Sequence, residues 1–490
     1  MSILIKNVQV IDGTGKPPIK SDVLIKKNKI SAIEDSINYN ADEIIDGWGA
    51  YLSPGFIDIN NHQDRYLNIF NNSAWLADKP LENFLSQGIT TIIGGNGGFS
   101  LAPLIYGSLD FLKPWTDVKK INVNWHSVSE FLKSIKKIPL GTNFGTLAGF
   151  NAVYQELIAK KEKKLVPSVS KVLNFVLKEA LKDGAFGISA GLDDIAIQEI
   201  SYFEIKKIAD LAAKYNKILS INLKNNKENL IDSVKKAIYL AKESKAKLLI
   251  NNLFPLIGFE SQYEEALDLI DKKPKNARIY FDFPICNSMV LSIIDFLPLW
   301  TRNFEKESIM ENLKDYEFRH KILREIPKLT GEETIVVSPL IQNIVGKRLK
   351  EFSDNRGLDL KNGLLKLMEI TKLRAEIEVK NINIQKLPEL LPNKNILISS
   401  NSSLLFSNVF KNFLEFSEKG NIISIEEAIR KITYLPARIL GIEKRGEVRS
   451  GYFADLVIFK EGEIKEVILN GKRVIKDKKY NGISAGIPLF

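Results

Sequence analysis

Between residues 55 and 398 the chain repeats one pattern, a short apolar run followed by a longer stretch with helical spacing. Eight runs stand out: Gly55–Ile59, Thr90–Ile93, Phe144–Ala148, Ala185–Ser189, Ile218–Ile221, Lys247–Ile250, Arg278–Phe281 and Asn395–Ile398. Runs of four or five apolar residues suit buried strands, whereas apolar residues recurring every three or four positions, as in Val169–Lys182, Tyr202–Tyr215 and Leu230–Glu243, suit amphipathic helices. Strands alternating with helices build parallel sheets, and eight of them close a barrel. The pattern predicts an α/β fold, a (β/α)8 TIM-type barrel. The active site of such a barrel lies at the C-terminal ends of its strands.

The two ends of the chain read differently. Residues 2–50 hold short strand-like runs separated by turns such as Asp12-Gly13-Thr14-Gly15 and Lys27-Asn28-Lys29. From Gly446 onward the same character returns, with strands predicted at Asp455–Phe459 and Glu466–Leu469 and a turn at Asn470-Gly471. Residues 1–52 and 432–490 are therefore expected to form one small composite β-sandwich domain, with the barrel at 53–431. An insertion at about 287–394 separates strands seven and eight and carries helical pieces near Asp315–Ile326 and Leu358–Ile370.

Charge and cysteine usage narrow the setting. The net charge of +10 comes from lysines spread along the chain, including the Lys160–Lys164 cluster, which reads as a solvated surface rather than a nucleic-acid stripe. No apolar run approaches the roughly 20 residues of a membrane span. The single cysteine, Cys286, excludes an intramolecular disulfide. The alternating N-terminus, Met-Ser-Ile-Leu-Ile-Lys-Asn-Val, lacks the features of a secretion signal, so a cytoplasmic protein is expected.

Residues at or just past the predicted strand ends define the candidate site. They are Asn60 and His62 from strand one, Asn96, Gly97 and Gly98 from strand two, Phe150 from strand three and Ser189 from strand four. The remaining strands contribute Asn222 and Lys224, Asn251 and Asn252, Asp282, and Ser400 and Asn401. The mouth is amide-lined, although asparagine is also common there because it tolerates turns. Two residues at i and i+2 on a strand face the same side, so His-x-His at a strand end can grip a metal; here the pair is Asn60 and His62. His126 and His320 read as surface or packing residues, Cys286 as an inert thiol, and Asp58, within strand one, as scaffold. Asp282 lies at a strand end but has no partner identifiable in the sequence.

The chain resembles the N-acyl-D-amino-acid deacylase branch of the amidohydrolase superfamily over nearly its full length. The resemblance rests on Pro54-Gly55-Phe56-Ile57-Asp58, on Gly88-Ile89-Thr90-Thr91 leading to Asn96-Gly97-Gly98-Phe99-Ser100, and on Gly187-Ile188-Ser189-Ala190-Gly191-Leu192. The closest block runs through Glu427–Thr433, Pro436-Ala437-Arg438 and Gly451–Val457. Carried over by that resemblance, the first-strand histidine is Asn60, while its partner survives as His62. The metal-binding cysteine falls at Gly97 and the histidine after strand three at Phe150. The strand-five His-x-Arg becomes Asn222 and Lys224, the strand-six histidine Asn252 and the catalytic aspartate Asn401. Leu404–Ser407 stands where a His-Pro-Arg segment would be.

Zinc prefers imidazole, thiolate and carboxylate, and an amide carbonyl is a weak substitute. The resemblance therefore implies a degenerate homologue with no metal expected, His62 being its one retained ligand. Such a protein would bind a polar or carboxylate small molecule through Asn60, His62, Asn222, Lys224, Asn252, Asp282 and Asn401. Two other readings stay open: an active hydrolase of amide C–N bonds, with zinc in a displaced or altered site, and a non-catalytic partner of an intact paralogue. Homo-oligomers are compatible with each reading, and neither nucleic acid nor membrane is an expected partner.

Overall fold

The computed structural model describes residues 1–490 apart from 63, 65–82, 113–117, 119–121, 159–166, 195, 196, 198, 199, 299, 302, 303, 305, 339, 402–407 and 421. The Lys160–Lys164 cluster and the Leu404–Ser407 stretch thus lie outside the described residues. Two compact units emerge. One holds residues 1–108, 123–285 and 384–490, and the other residues 109–122 and 286–383.

Barrel strands β1 to β8 of the larger unit are Phe56–Asp58, Ile89–Gly94, Asn143–Thr146 (resuming at Ala148–Gly149), Gly187–Gly191, Ile218–Asn222, Lys247–Asn251, Arg278–Phe283 and Ile396–Ile398. Each falls on or beside one of the eight apolar runs. Neighbours pair in parallel from β1 through β8. Between β8 and β1 the described residues form no ladder. Instead, the backbone N–H of Asn401 donates to the Asn60 carbonyl at 3.2 Å, and that of Ser400 donates to Asp58 Oδ1 at 3.0 Å. A carboxylate side chain thus helps close the cylinder.

Helices form where the apolar spacing asks for them. Pro167–Lys182 buries Leu173, Leu177, Ala180 and Leu181, a stripe at helical spacing. Tyr202–Lys214 starts at an N-cap, Ser201, whose side chain accepts the Glu204 backbone N–H. Leu230–Ser244 ends with Lys245 in the left-handed region at φ 58°. Fully burying one such leucine contributes about 1.5–3 kcal/mol, so these stripes hold the helices to the barrel. The short helix Tyr434–Leu440 joins the same core, with Ala437, Ile439 and Leu440 packed among Ile57, Ile93, Leu249 and Leu397.

The chain termini meet in one nine-stranded sheet. Its seam pairs Tyr51–Pro54 antiparallel with Leu456–Lys460, and the shared core includes Ile3, Ile5, Val23, Leu52, Leu456 and Ile468. Gly55 turns the chain from this sheet into β1, where a Cβ would overlap the Thr90 side chain. Asp455 ties the sheet to β3, accepting from Asn143 Nδ2 at 2.9 Å and from the buried Arg445 guanidinium.

The smaller unit has its own core. An antiparallel sheet of Met289–Ser292, Glu376–Val379 and Thr334–Val337 packs with the helices Tyr316–Glu325 and Leu360–Thr371. Ile293, Ile322, Phe352, Leu364, Met368 and Ile377 fill its centre. Among the described residues no helix is long and apolar enough to cross a membrane.

Candidate ligand site at the barrel mouth

The ends of β2, β4, β5 and β6 are wired together by small polar side chains. Ser220 Oγ donates to Asn251 Oδ1 at 3.0 Å and approaches Asn96 Oδ1 at 3.4 Å. Asn251 Nδ2 donates to Asn222 Oδ1 at 3.3 Å, and Asn222 Nδ2 to Asp193 Oδ2 at 3.3 Å. Ser189 Oγ donates to the Gly95 carbonyl while accepting the Gly98 backbone N–H at 3.1 Å. Asn151 clasps the same loops, with Nδ2 on the Gly191 carbonyl at 3.1 Å and Oδ1 accepting the Gly191 N–H at 3.1 Å. Gly98 sits at φ 85°, and a Cβ there would overlap Asn151 Oδ1, so the loop requires glycine.

The ends of β1, β7 and β8 hold two fully buried carboxylates. Asp58 Oδ2 accepts Ser400 Oγ at 2.5 Å and Asn61 Nδ2 at 2.8 Å. Asp282 Oδ2 accepts Asn60 Nδ2 at 3.0 Å and the Ser399 hydroxyl. Asn60 Nδ2 also reaches Asn252 Oδ1 at 3.3 Å. With two acceptors facing Nδ2, the Asn60 amide is oriented by its network. Burial pushes Asp58 up to about 6 against the hydrogen bonds from Ser400, Asn61 and the Asn60 backbone. Asp282 also rises to about 6, chiefly by burial, with the Ser399 and Asn60 bonds opposing and the Asp58 charge adding. The Asn252 backbone N–H leans toward the Asp282 carboxylate, also favouring its charge.

Two oxygens of this second cluster stand out. Asn60 Oδ1 and Asp282 Oδ1 are buried and accept no hydrogen bond. An unsatisfied buried polar atom costs about 1–3 kcal/mol, and here two occur on residues in direct contact through Asn60 Nδ2 and Asp282 Oδ2.

The structure brings Asn60, Asn252 and Asp282 into direct contact and joins Asn401 to Asn60 through its backbone. Asn222 belongs to the other network. His62 is buried two residues past Asn60, and Lys224 is exposed two residues past β5. Asn252 and Asn401, both half-buried, take left-handed backbone conformations at φ 58° and 43°, which asparagine tolerates. Gly97 lies at φ 63° in the loop after β2. Phe150 opens the helix Phe150–Ile158 and stacks on Tyr154 at 6.0 Å between ring centroids, a packing contact. His126 Nδ1 lies 3.3 Å from the Leu104 carbonyl, and His320 stacks on Tyr316 within its helix. In the smaller unit the Cys286 thiol donates to the Ser288 carbonyl at 2.9 Å, and burial pushes it up to about 11, so little reactive thiolate forms at neutral pH.

Strand-end reading named Asp282 without a partner, and the partners prove to be Asn60 and Ser399. Ser220, Ser399, Asn61 and Asp64 escaped it as site residues. Ser220 carried a usable signal, since it precedes Asn222 by two on β5 and shares its face. Asp64, whose Oδ2 accepts the Gly95 N–H at 2.7 Å, lies outside any strand and carried none.

Comparison with known proteins agrees with this architecture. Residues 343–474 match the model of the amidohydrolase family. The chain is 23% identical over 484 residues to the N-acyl-D-aspartate deacylase of Alcaligenes xylosoxydans xylosoxydans, covering 94% of this chain and 86% of that protein. It is 21% identical over 509 residues to a D-aminoacylase from the same organism, covering 99% and 96%. The crystal structure of an N-acyl-D-glutamate deacylase from Bordetella bronchiseptica, complexed with zinc and a phosphonate inhibitor, superposes with a TM-score of 0.79 at 18% identity over 99% of each chain. At that identity the likeness establishes a shared fold.

The resemblance to such enzymes implies zinc, and the donors at the mouth do not suit it. One imidazole, His62, and two carboxylates already held by hydrogen bonds, Asp58 and Asp282, stand among amides, where zinc takes imidazole, thiolate and carboxylate. Among the described residues no group of three or more His, Cys, Asp or Glu is placed to hold a metal ion.

Proposed function

We propose that the chain, whose residues 343–474 match the amidohydrolase family model and which is similar over most of its length to N-acyl-D-amino-acid deacylases, is a catalytically degenerate homologue of those enzymes that binds a polar small molecule at its barrel mouth. One observation carries the reading: Asn60, Asn222, Asn252 and Asn401 stand where the resemblance expects histidines and an aspartate, and all but Asn401 engage other protein groups through their side-chain amides. Bound zinc lowers the pKa of water from about 15.7 to about 7, and an amide supplies neither that metal nor a base. Losing a general base alone removes a further ~10²–10⁴-fold in rate. Lys224 keeps a positive charge at the rim, without the bidentate geometry of the arginine it replaces, and suits a ligand carboxylate.

Amino-acid release from N-acyl-D-amino acids, followed together with elemental analysis of protein purified without chelators, tests the proposal. No turnover and substoichiometric zinc are expected. Near-stoichiometric zinc with turnover abolished by His62→Ala would overturn it. A second reading, a metal-free hydrolase, draws on the two buried carboxylates raised to about 6, a value suited to acid–base work near neutrality. Turnover that persists in chelator and disappears in Asp282→Asn would select it.

A further inference from the structure

Asn60 and Asp282 form a floor of unusual polarity. Both side chains are fully buried, and each keeps one oxygen, Oδ1, without a hydrogen bond. Neither oxygen can donate at neutral pH, so whatever completes them must bring protons. The cluster also concentrates acidic groups: Asp58 and Asp282 are buried near each other, and no cation of the described residues is among the main groups that shift either one. Paired or coordinated buried charge is the rule, and here the partner is absent among the described residues. The floor is bonded to the half-buried Asn252, and Asn401, also half-buried, reaches it through its backbone, which places it one hydrogen bond from the solvent side of the mouth.

We propose that Asn60 and Asp282 form a subsite for a protonated primary amine, so that the small molecule bound by this barrel carries a free ammonium group at its buried end. An ammonium has three donors and one positive charge. Two donors satisfy Asn60 Oδ1 and Asp282 Oδ1, and the charge neutralises the carboxylate. A divalent metal suits the floor less well. Calcium takes six to eight oxygens and magnesium a near-ideal octahedron, whereas this floor leaves two oxygens open, only one of them charged. The inference rests on the binding-protein reading above and specifies its ligand by an ammonium group at the floor.

The test is isothermal titration of the full chain at neutral pH with n-butylammonium, 1-butanol and N-acetylbutylamine, and separately with potassium, magnesium, calcium and zinc chlorides. Saturable one-to-one binding of butylammonium is expected, with no saturable heat from the alcohol or the acetylated amine. Asp282→Asn and Asn60→Leu should each weaken the amine at least about tenfold. The contrast between charged and acylated amine on the wild-type protein needs no variant, so a misfolded substitution leaves it readable. Absence of amine binding, equal binding by the neutral analogues or by Asp282→Asn, or a metal ion that displaces the amine would overturn the proposal. Binding of uncleaved N-acyl amino acids without amine binding breaks this inference alone, whereas hydrolysis breaks the binding-protein reading whatever the amines do.

Discussion

At the barrel mouth, the ends of β2, β4, β5 and β6 and the ends of β1, β7 and β8 meet the same requirement with different success. In the first group, serines and asparagines satisfy one another through Asn96, Ser220, Asn251 and Asn222, and none of these side chains is left with an unpaired buried atom. In the second, two buried carboxylates repel each other and two oxygens stay unpaired. Unpaired buried acceptors kept at the end of barrel strands, where sites of this fold lie, are candidates for a functional constraint on the sequence. On the reading proposed above, the first cluster is scaffold and the second the binding floor.

Substitutions should separate the two clusters by sign as well as size. The largest effect is expected from Gly98→Ala on the satisfied side, where the new methyl group meets Asn151 at a positive φ; a loss of about 3–4 kcal/mol should appear in urea unfolding. Asp282→Asn should do the opposite. Its native pKa, near 6, lies above the unfolded value of about 3.9, so its contribution to stability is full below about pH 4 and is lost as pH rises through about 6. Removing the charge should therefore stabilise the protein by on the order of 2 kcal/mol at pH 7, with the gain vanishing toward pH 4. Equal or lower stability of the variant at pH 7 would break the comparison.

Ser220→Ala should destabilise by about 1–2 kcal/mol, because Asn251 Oδ1 loses its donor inside the barrel. An unchanged unfolding midpoint would show that the first cluster is less tightly coupled than its hydrogen bonds suggest. Lys224→Ala, on an exposed side chain, should alter stability by no more than about 0.5 kcal/mol while weakening any carboxylate ligand, as read by thermal shift with a panel of acids. Equal ligand shifts in the wild type and the variant would remove Lys224 from the site.

Much of the fold was legible because burial leaves a periodic trace. The runs Ile218–Ile221 and Lys247–Ile250 became strands that each extend one residue further, to Asn222 and Asn251. The helix read at Tyr202–Tyr215 ends at Lys214. The β character of both chain ends was visible, but not the seam between Tyr51–Pro54 and Leu456–Lys460 that joins them, since residues 400 positions apart leave no mark on each other's spacing. At the site, Asn60, Asn252 and Asp282 were each visible at a strand end. That they touch one another, while Asn222 does not join them, was not.

What the amino-acid order determined alone is the chemistry available at each strand end: amides at Asn60, Asn222, Asn252 and Asn401, with one histidine and one lysine beside them. Tertiary structure decided which of those groups consume one another. A hydrogen bond across the barrel depends on angles and separations of about 3 Å between strands far apart in sequence, and no local pattern encodes them. Only in the closed barrel does Asp58 become the clasp between β1 and β8, and only there do Asn60 and Asp282 keep an oxygen each without a donor.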